Sequence, residues 1–302
     1  MTAAAPNPSV PLLPPVGIVT VNWNAAAETA RLLESLRALD YPDFRTVVVD
    51  NGSTDRSPDV LEKDFPEATV LRLPDNAGFG AANNAALRRF LEDGVPFAWL
   101  LNNDARPEPG ALRALVDALL AAPRAGAAGA VVLEDDGSGR VQAWGGGRLL
   151  PWIGGVALHR KPADPLEFVT GASCLLRASA LREIGLFDER FFLYWEDADL
   201  CLRLRRAGWQ LAVAENARVL HQGSATTGRL PRLRAYHSAR SYGLLLHKHF
   251  PRPAARSLAA ACFQSAGKLL RGNLPAFLGR WQGWRAGQAA ARLPDTSLRG
   301  IP

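Results

Sequence analysis

The sequence predicts an α/β protein built on a mostly parallel sheet, with a helical extension at its C-terminus. Three observations predict it. Short apolar runs recur through the first third of the chain, and each is followed by a segment with helical spacing. Each run ends in a cluster of Asn, Asp or Gly. Beyond about residue 230 the strand pattern stops, and the chain is rich in Ala, Leu, Arg and Trp.

In order, residues 16–21 (VGIVTV) read as a buried strand, and Leu32, Leu33, Leu36 and Leu39 give residues 27–39 a helical face. Residues 46–49 form a second strand ending at Asp50, where Asn51-Gly52-Ser53 turns the chain toward a short helix. Residues 69–73 are a third strand, with a helix over 80–92. Residues 97–101 are a fourth, with a helix over 108–121. Residues 134–165, rich in Gly, Pro and charge, read as a long loop or small hairpin. Order resumes over 168–185, residues 196–207 form a helix stopped by Gly208, and Val219-Leu220-His221 ends one more strand.

The chain has 302 residues, 48% hydrophobic and 21% charged, which suffices for one large or two modest cores and excludes general disorder. The formal charge of +6 is unevenly spread. Residues 229–302 hold 13 Lys and Arg against one acid, Asp295, whereas residues 1–228 hold 22 bases and 28 acids. The three cysteines, Cys174, Cys201 and Cys262, have no CxxC spacing, so neither a disulfide framework nor a zinc ribbon is expected. Residues 1–15 are expected to be a flexible leader. They lack a basic n-region, are broken by prolines and do not read as a signal peptide. No uncharged apolar run approaches the roughly 18 residues a spanning helix needs. A cytoplasmic protein is expected.

In a parallel sheet ligands bind at the carboxyl ends of strands, where the polar clusters fall: Asn22-Trp23-Asn24, Asp50 to Ser53, Asn76-Ala77-Gly78 and Asn102-Asn103-Asp104. Turn chemistry alone explains any one cluster, but four in a row less readily. Asp104 suits Mg²⁺ or Mn²⁺ carrying substrate phosphates, because hard cations take oxygen ligands. His221, at another strand end, reads on its own as an ordinary core or surface histidine, with metal ligation as the alternative. Asp50 and Trp23 either hold a nucleobase, by hydrogen bond and stacking, or serve as a cap and a core residue. Gly78-Phe79-Gly80 opens a helix after a strand, but Asn83 replaces the third glycine of a dinucleotide fingerprint, and no P-loop is present. Glu196, Asp197 and Asp199 put three carboxylates in the first turn of one helix. The helix dipole explains one or two of them, and a third crowds like charge in a way that suits a general base.

Together these segments resemble the inverting GT-A glycosyltransferases of family 2, in the branch that holds bacterial rhamnosyltransferases. The matching runs are VGIVTVNWN (16–24), VVVDNGSTD (47–55), NAGFGAANNAA (76–86), LLNNDARPEPGAL (100–112), the long run from 169 to 209 containing FDERFFLYWEDADLCLRLRRAG, and HQGSAT (221–226). The resemblance implies a GT-A domain over 16–228, with a nucleotide half to about 104 and an acceptor half beyond it. It implies a nucleotide-sugar donor, dTDP-rhamnose or a UDP-sugar, held by Val21, Trp23, Asn24, Asp50, Gly78, Asn83, Asn84, Asn102, Asn103, Gly171 and Ala172. Asn102 stands for the first Asp of the DxD motif and Asn83 for a common Arg. By the same resemblance Asp104 and His221 hold Mg²⁺ or Mn²⁺, Asp197 is the general base with Glu196 as a second catalytic residue, and Trp195 and Asp199 face the acceptor. The acceptor is then a saccharide or lipid-linked saccharide of bacterial cell-surface polysaccharide synthesis.

The basic extension over 229–302, with Trp281, Trp284, Phe250, Phe263 and Phe277 among its cations, fits an anionic membrane surface on the inner face of the cell membrane. A solvated helical face and an oligomer contact are equal alternatives, and no nucleic-acid motif is present. Two rival functions are a nucleotidyltransferase and a silent nucleotide-sugar-binding scaffold. The first wants a Gly-rich basic loop where this chain reads VNWNAAAET, and the second has no use for the carboxylates at 196, 197 and 199.

Overall fold

A computed structural model describes residues 13–223 and 231–298. Most of the leader, Ser224 to Thr226 of the HQGSAT run and the boundary at 228 lie outside these residues. The four apolar runs form β1 (Val16–Asn22), β2 (Phe44–Asp50), β3 (Ala68–Arg72) and β4 (Phe97–Leu101), parallel and ordered β3-β2-β1-β4. They are linked by α1 (Ala26–Leu36), α2 (Ser57–Asp64) and α3 (Phe79–Glu92). The chain continues through β5 (Ala105–Pro107), α4 (Ala111–Ala121) and β6 (Ala125–Glu134).

Residues 134–165, expected to be loop or hairpin, contain β7 (Val141–Trp144), β8 (Gly146–Leu150) and β9 (Gly155–Leu158). With β10 (Phe168–Val169), β8 and β9 form a small antiparallel sheet, while β7 extends the main sheet beside β6. The glycines that suggest a loop are what allows the pairing. A Cβ on Gly146 or Gly147 would overlap the carbonyl of Phe168 or Ala157 on the facing strand. Then come β11 (Ser173–Arg177), α5 (Ala178–Ile184), α6 (Glu196–Arg206) and β12 (Gln210–His221). β11 inserts antiparallel between β4 and β6, and β12 runs parallel to β6.

Both faces of the sheet are covered. Along β4, Phe97, Trp99 and Leu101 pack toward α1 and α4, while Ala98 and Leu100 pack toward α3, α5 and α6. This is why the strand reads as a continuous apolar run. The extension forms α7 (Pro231–His249), α8 (Pro253–Leu270) and α9 (Leu274–Ala290). α7 is built into the second of these cores through Tyr242, Leu244, Leu245 and Leu246. Its contact with α9 is backbone on backbone. Gly279, Gly283 and Gly287 lie against the carbonyls of Arg232, Tyr236 and Arg240, so the two helices run side by side in the same direction. Among the described residues no helix is long and apolar enough to cross a membrane.

Candidate active site

A cleft of about 560 Å³ opens at the carboxyl ends of β1, β4 and β12. Val21, Trp23, Asn102, Asn103, Asp104 and His221 line it from the strand ends, with Asn51, Asn76, Gly78 and Phe79 beside them. Phe192, Leu193 and Tyr194 close a second wall, and Leu233, Arg234 and His237 of α7 a third. Buried polar side chains hold the strand ends together beneath it. Asn22 donates to Asp50 at 2.8 Å and accepts from Thr29 at 2.8 Å, and Thr29 accepts from Asn103 at 3.2 Å.

His221 Nε2 lies 3.1 Å from Asp104 Oδ1 and 3.1 Å from Asn102 Nδ2. Its tautomer follows from a chain of partners. Gln142 Nε2 donates to Glu134 at 3.2 Å, which turns Gln142 Oε1 toward His221 Nδ1 at 2.6 Å. The Nδ1 proton is therefore given to Gln142, and the Nε2 lone pair faces Asp104. Two ligands adjacent on an octahedral cation with bonds near 2.1 Å sit about 3 Å apart, so this donor pair fits Mg²⁺ or Mn²⁺. Among the described residues no cluster of three or more His, Cys, Asp and Glu side chains could hold a metal alone. Further ligands would come from phosphate oxygens and water.

Asp197 stands in the first turn of α6, half-buried, with Oδ2 accepting from Gly171 N–H at 3.0 Å and Oδ1 from Ala198 N–H at 2.8 Å. The space above Gly171 lies between Asp197 Oδ2 and the ring of Phe79, which lines the cleft. The carbonyl of Ala172 accepts from Asn102 N–H at 3.2 Å, which ties this corner to the Asp104 loop. Burial pushes the Asp197 carboxyl up, against the two backbone donors. Glu196 is buried toward Gly80, its Oε2 has no partner, and burial and then the Asp197 charge push it well above the usual range.

The backbone entering α6 is left-handed at two aromatic residues, Tyr194 (φ 68°) and Trp195 (φ 71°), a conformation large side chains rarely adopt. α7 holds it there. The Trp195 indole donates to Ser238 O at 3.1 Å and packs on Tyr242, Phe192 stacks on His237 at 4.6 Å, and Ser241 donates to Leu193 O at 2.9 Å. On the other side Gly78, at φ 91°, lets the Phe192 carbonyl approach where a Cβ would overlap it.

Several residues expected at the site are turned to other work. Asp199 is fully buried, ion-paired with Arg203 and Lys248 and hydrogen-bonded to His249, so it faces no acceptor. Trp195 is occupied by Ser238 and Tyr242. Asn84 exchanges hydrogen bonds with Phe187 and reaches Glu189, and Asn83 donates to Phe79 O, so neither side chain opens on the cleft. Asn24 accepts from the backbone of Thr54 and Asp55, and the Asp50 oxygens accept from Asn22 and Ser53. Gly171 contributes its N–H to Asp197, while Ala172 is buried. The contributions that no motif signalled are Gln142 and, on α7, Arg234 and His237, while Phe192 to Tyr194 lie within the FDERFFLYWEDADL run but are not among its expected site residues.

Residues 17–185 match the model of the family described as "Glycosyl transferase family 2". The chain is 32% identical over 259 residues to an N-acetylglucosaminyl-diphospho-decaprenol L-rhamnosyltransferase of Mycobacterium tuberculosis, covering 77% of this chain and 84% of that protein. It is also 32% identical over 231 residues to a pre-mycofactocin glycosyltransferase of the same organism, covering 73% of this chain and 45% of that one. A mannosyltransferase from Pyrobaculum calidifontis, solved with GDP-Man and Mn²⁺, superposes with a TM-score of 0.56 at 20% identity over 92% of this chain and 86% of that chain. That likeness is one of fold, the GT-A fold. The chain belongs to glycosyltransferase family 2.

Proposed function

We propose that this glycosyltransferase moves a sugar from a nucleotide-diphosphate donor to a hydroxyl of a lipid-linked saccharide, with inversion at the anomeric carbon and dependence on a divalent metal. Rhamnose is the favoured sugar and dTDP-rhamnose or a UDP-sugar the favoured donor, a reading supported by the rhamnosyltransferase relative and the lipid-linked sugar in its name. The observation that carries the proposal is the approach of His221 Nε2 to Asp104 Oδ1 in the same strand-end region where Gly171 holds Asp197.

Asp104 and His221 would hold Mg²⁺ or Mn²⁺. When bound, the ion neutralises charge that grows on the departing diphosphate. Trp23 and Val21, at the end of β1, offer a wall for the nucleotide, and Arg234 adds positive charge across the cleft. Asp197 takes the proton from the acceptor hydroxyl, whose oxygen attacks the anomeric carbon from the face opposite the nucleotide. A single displacement inverts the centre. The raised proton affinity of Asp197 makes it a stronger base than an exposed carboxylate. Burial and then the Asp197 charge push Glu196 well above the usual range, so of the pair Asp197 gives up its proton the more readily.

Asp197→Asn tests the assignment, because the amide keeps the shape and loses the basicity. Nucleotide-sugar binding by thermal shift should survive, and transfer should fall on the order of 10²–10⁴-fold. Near-normal turnover in this variant would remove Asp197 from the role.

A further inference from the structure

Four cations gather where the end of α8 and the start of α9 meet α7, the helix that lines the cleft. Arg234 lines the cleft from α7, Lys268 and Arg271 end α8, and Arg280 lies early in α9. Among the described residues none of the four makes an ion pair, and the tail offers no acid that could serve. Its one carboxylate, Asp295, is held by Lys248 at 2.9 Å and Arg190 at 3.4 Å. Arg280 is only 6% exposed, its Nε has no hydrogen-bond partner, and burial pushes it down to about 10. Lys268 is held below its ordinary value by burial and then by the charges of Arg280, Arg234 and Arg271, so it lies within the field of the other three. Complementing the dipole of α8 accounts for Lys268 and Arg271. It leaves the buried Arg280 and the cleft-lining Arg234 unexplained.

Exposed leucines stand near these cations along the chain. Leu233, Leu269, Leu274 and Leu278 are exposed, and Leu270 is 89% exposed. The aromatic residues that the sequence offers to a bilayer are mostly elsewhere: Phe250, Phe277, Trp281 and Trp284 are half-buried in helix packing, and only Phe263 faces out. Of the exposed leucines, Leu233 lines the cleft itself. Gly279 packs on the Arg232 carbonyl and Arg232 donates to Gln282 at 3.0 Å, which sets the start of α9 beside Leu233 and Arg234.

We propose that Arg234, Lys268, Arg271 and Arg280 bind the diphosphate of the lipid-linked acceptor, with its hydrocarbon on the exposed leucines and its sugar directed into the cleft. The identity of the ligand rests on the proposed transfer to a lipid-linked saccharide. The binding itself is separate from transfer. A diphosphate ester brings clustered negative charge to four uncompensated cations, and only an ester with an apolar tail uses the exposed leucines as well.

The test uses the whole chain and farnesyl diphosphate as the probe, titrated by calorimetry at low salt. The wild type should bind it more tightly than farnesol or inorganic diphosphate, and saturating UDP with Mn²⁺ should not displace it. Lys268→Gln with Arg271→Gln should weaken binding about tenfold or more, and Arg280→Gln serves as a second variant, with circular dichroism checking the fold. Unchanged affinity in both variants, displacement by UDP, or inorganic diphosphate binding as tightly as the ester would each overturn the proposal. Sedimentation with phosphatidylcholine–phosphatidylglycerol vesicles separates the remaining source. If the double variant loses vesicle binding but keeps farnesyl diphosphate, the cations read bilayer headgroups and the proposal fails. Failure of the transfer reading shows elsewhere, as no nucleotide release by the wild type from any donor.

Discussion

Gln142 belongs to no motif, yet it decides which nitrogen of His221 faces Asp104. Glu134 fixes the amide, the amide takes the Nδ1 proton, and Nε2 is left with a lone pair. Gln142→Leu removes that acceptor, so the imidazole loses its preferred tautomer and orientation. Apparent Mn²⁺ affinity, read by titrating metal into the transfer assay, should fall about 10–100-fold with the thermal midpoint little changed. Glu196 and Asp197 should separate just as clearly. Burial and then the Asp197 charge push Glu196 well above the usual range and favour its neutral form, which Glu196→Gln mimics, so turnover should stay within a few-fold of wild type. The pH profile carries the complementary sign. A base must be deprotonated to act and Asp197 is raised, so kcat should fall with acidity through a limb above the roughly 3.9 of a free aspartate. A limb at or below that value would contradict the burial argument.

α9 shows how an element can be unreadable from its apolar pattern. Its glycines recur every four residues at Gly279, Gly283 and Gly287, and they pack against the carbonyls of α7, where a side chain of any kind would overlap. Gly283→Ala should push the helices apart and cost about 1–3 kcal/mol, measured as a lowered unfolding midpoint. Because α7 also holds the strained backbone at Tyr194 and Trp195, transfer should suffer more in this variant than nucleotide binding. By contrast, β1 to β4 are legible in the sequence. Strands buried on both faces must be apolar throughout, and the polar residues that end them stand at the cleft. β7 to β9 are not legible, because the close approach of facing strands there selects glycine, which also marks loops. The same limit applies to Asp199 and Asn84. Their residue types suit a ligand, and only the partners brought in from α7 and from residues 187–189 show that their hydrogen-bonding capacity is spent.

At the scale of the whole molecule, the basic extension and the acidic body are joined by a buried charge network. Lys248, near the end of α7, reaches Asp188 at 2.8 Å, Asp199 at 2.9 Å and Asp295 at 2.9 Å, while Arg190 and Arg203 take the other sides of Asp188 and Asp199. Burial pushes both aspartates up, but their cations outweigh it and hold both carboxyls far below the usual range. A carboxylate depressed in the folded state stabilises fully above its unfolded value, near 3.9, and loses that contribution as pH falls through its folded value. Lys248→Met leaves the chain length of the side chain and removes the charge. Two buried aspartates then lose a partner, and the cost at neutral pH should be about 3–5 kcal/mol, read by denaturant unfolding. The difference from wild type should shrink as the pH is lowered below 4, because protonated aspartates no longer need the cation. A gap that stays constant with pH would mean that Lys248 acts through its ammonium over the Phe191 ring and not through the aspartates. The network also fixes the first turn of α6, two residues beyond Asp197, so in the variant loss of transfer should appear at denaturant concentrations below those that unfold the chain.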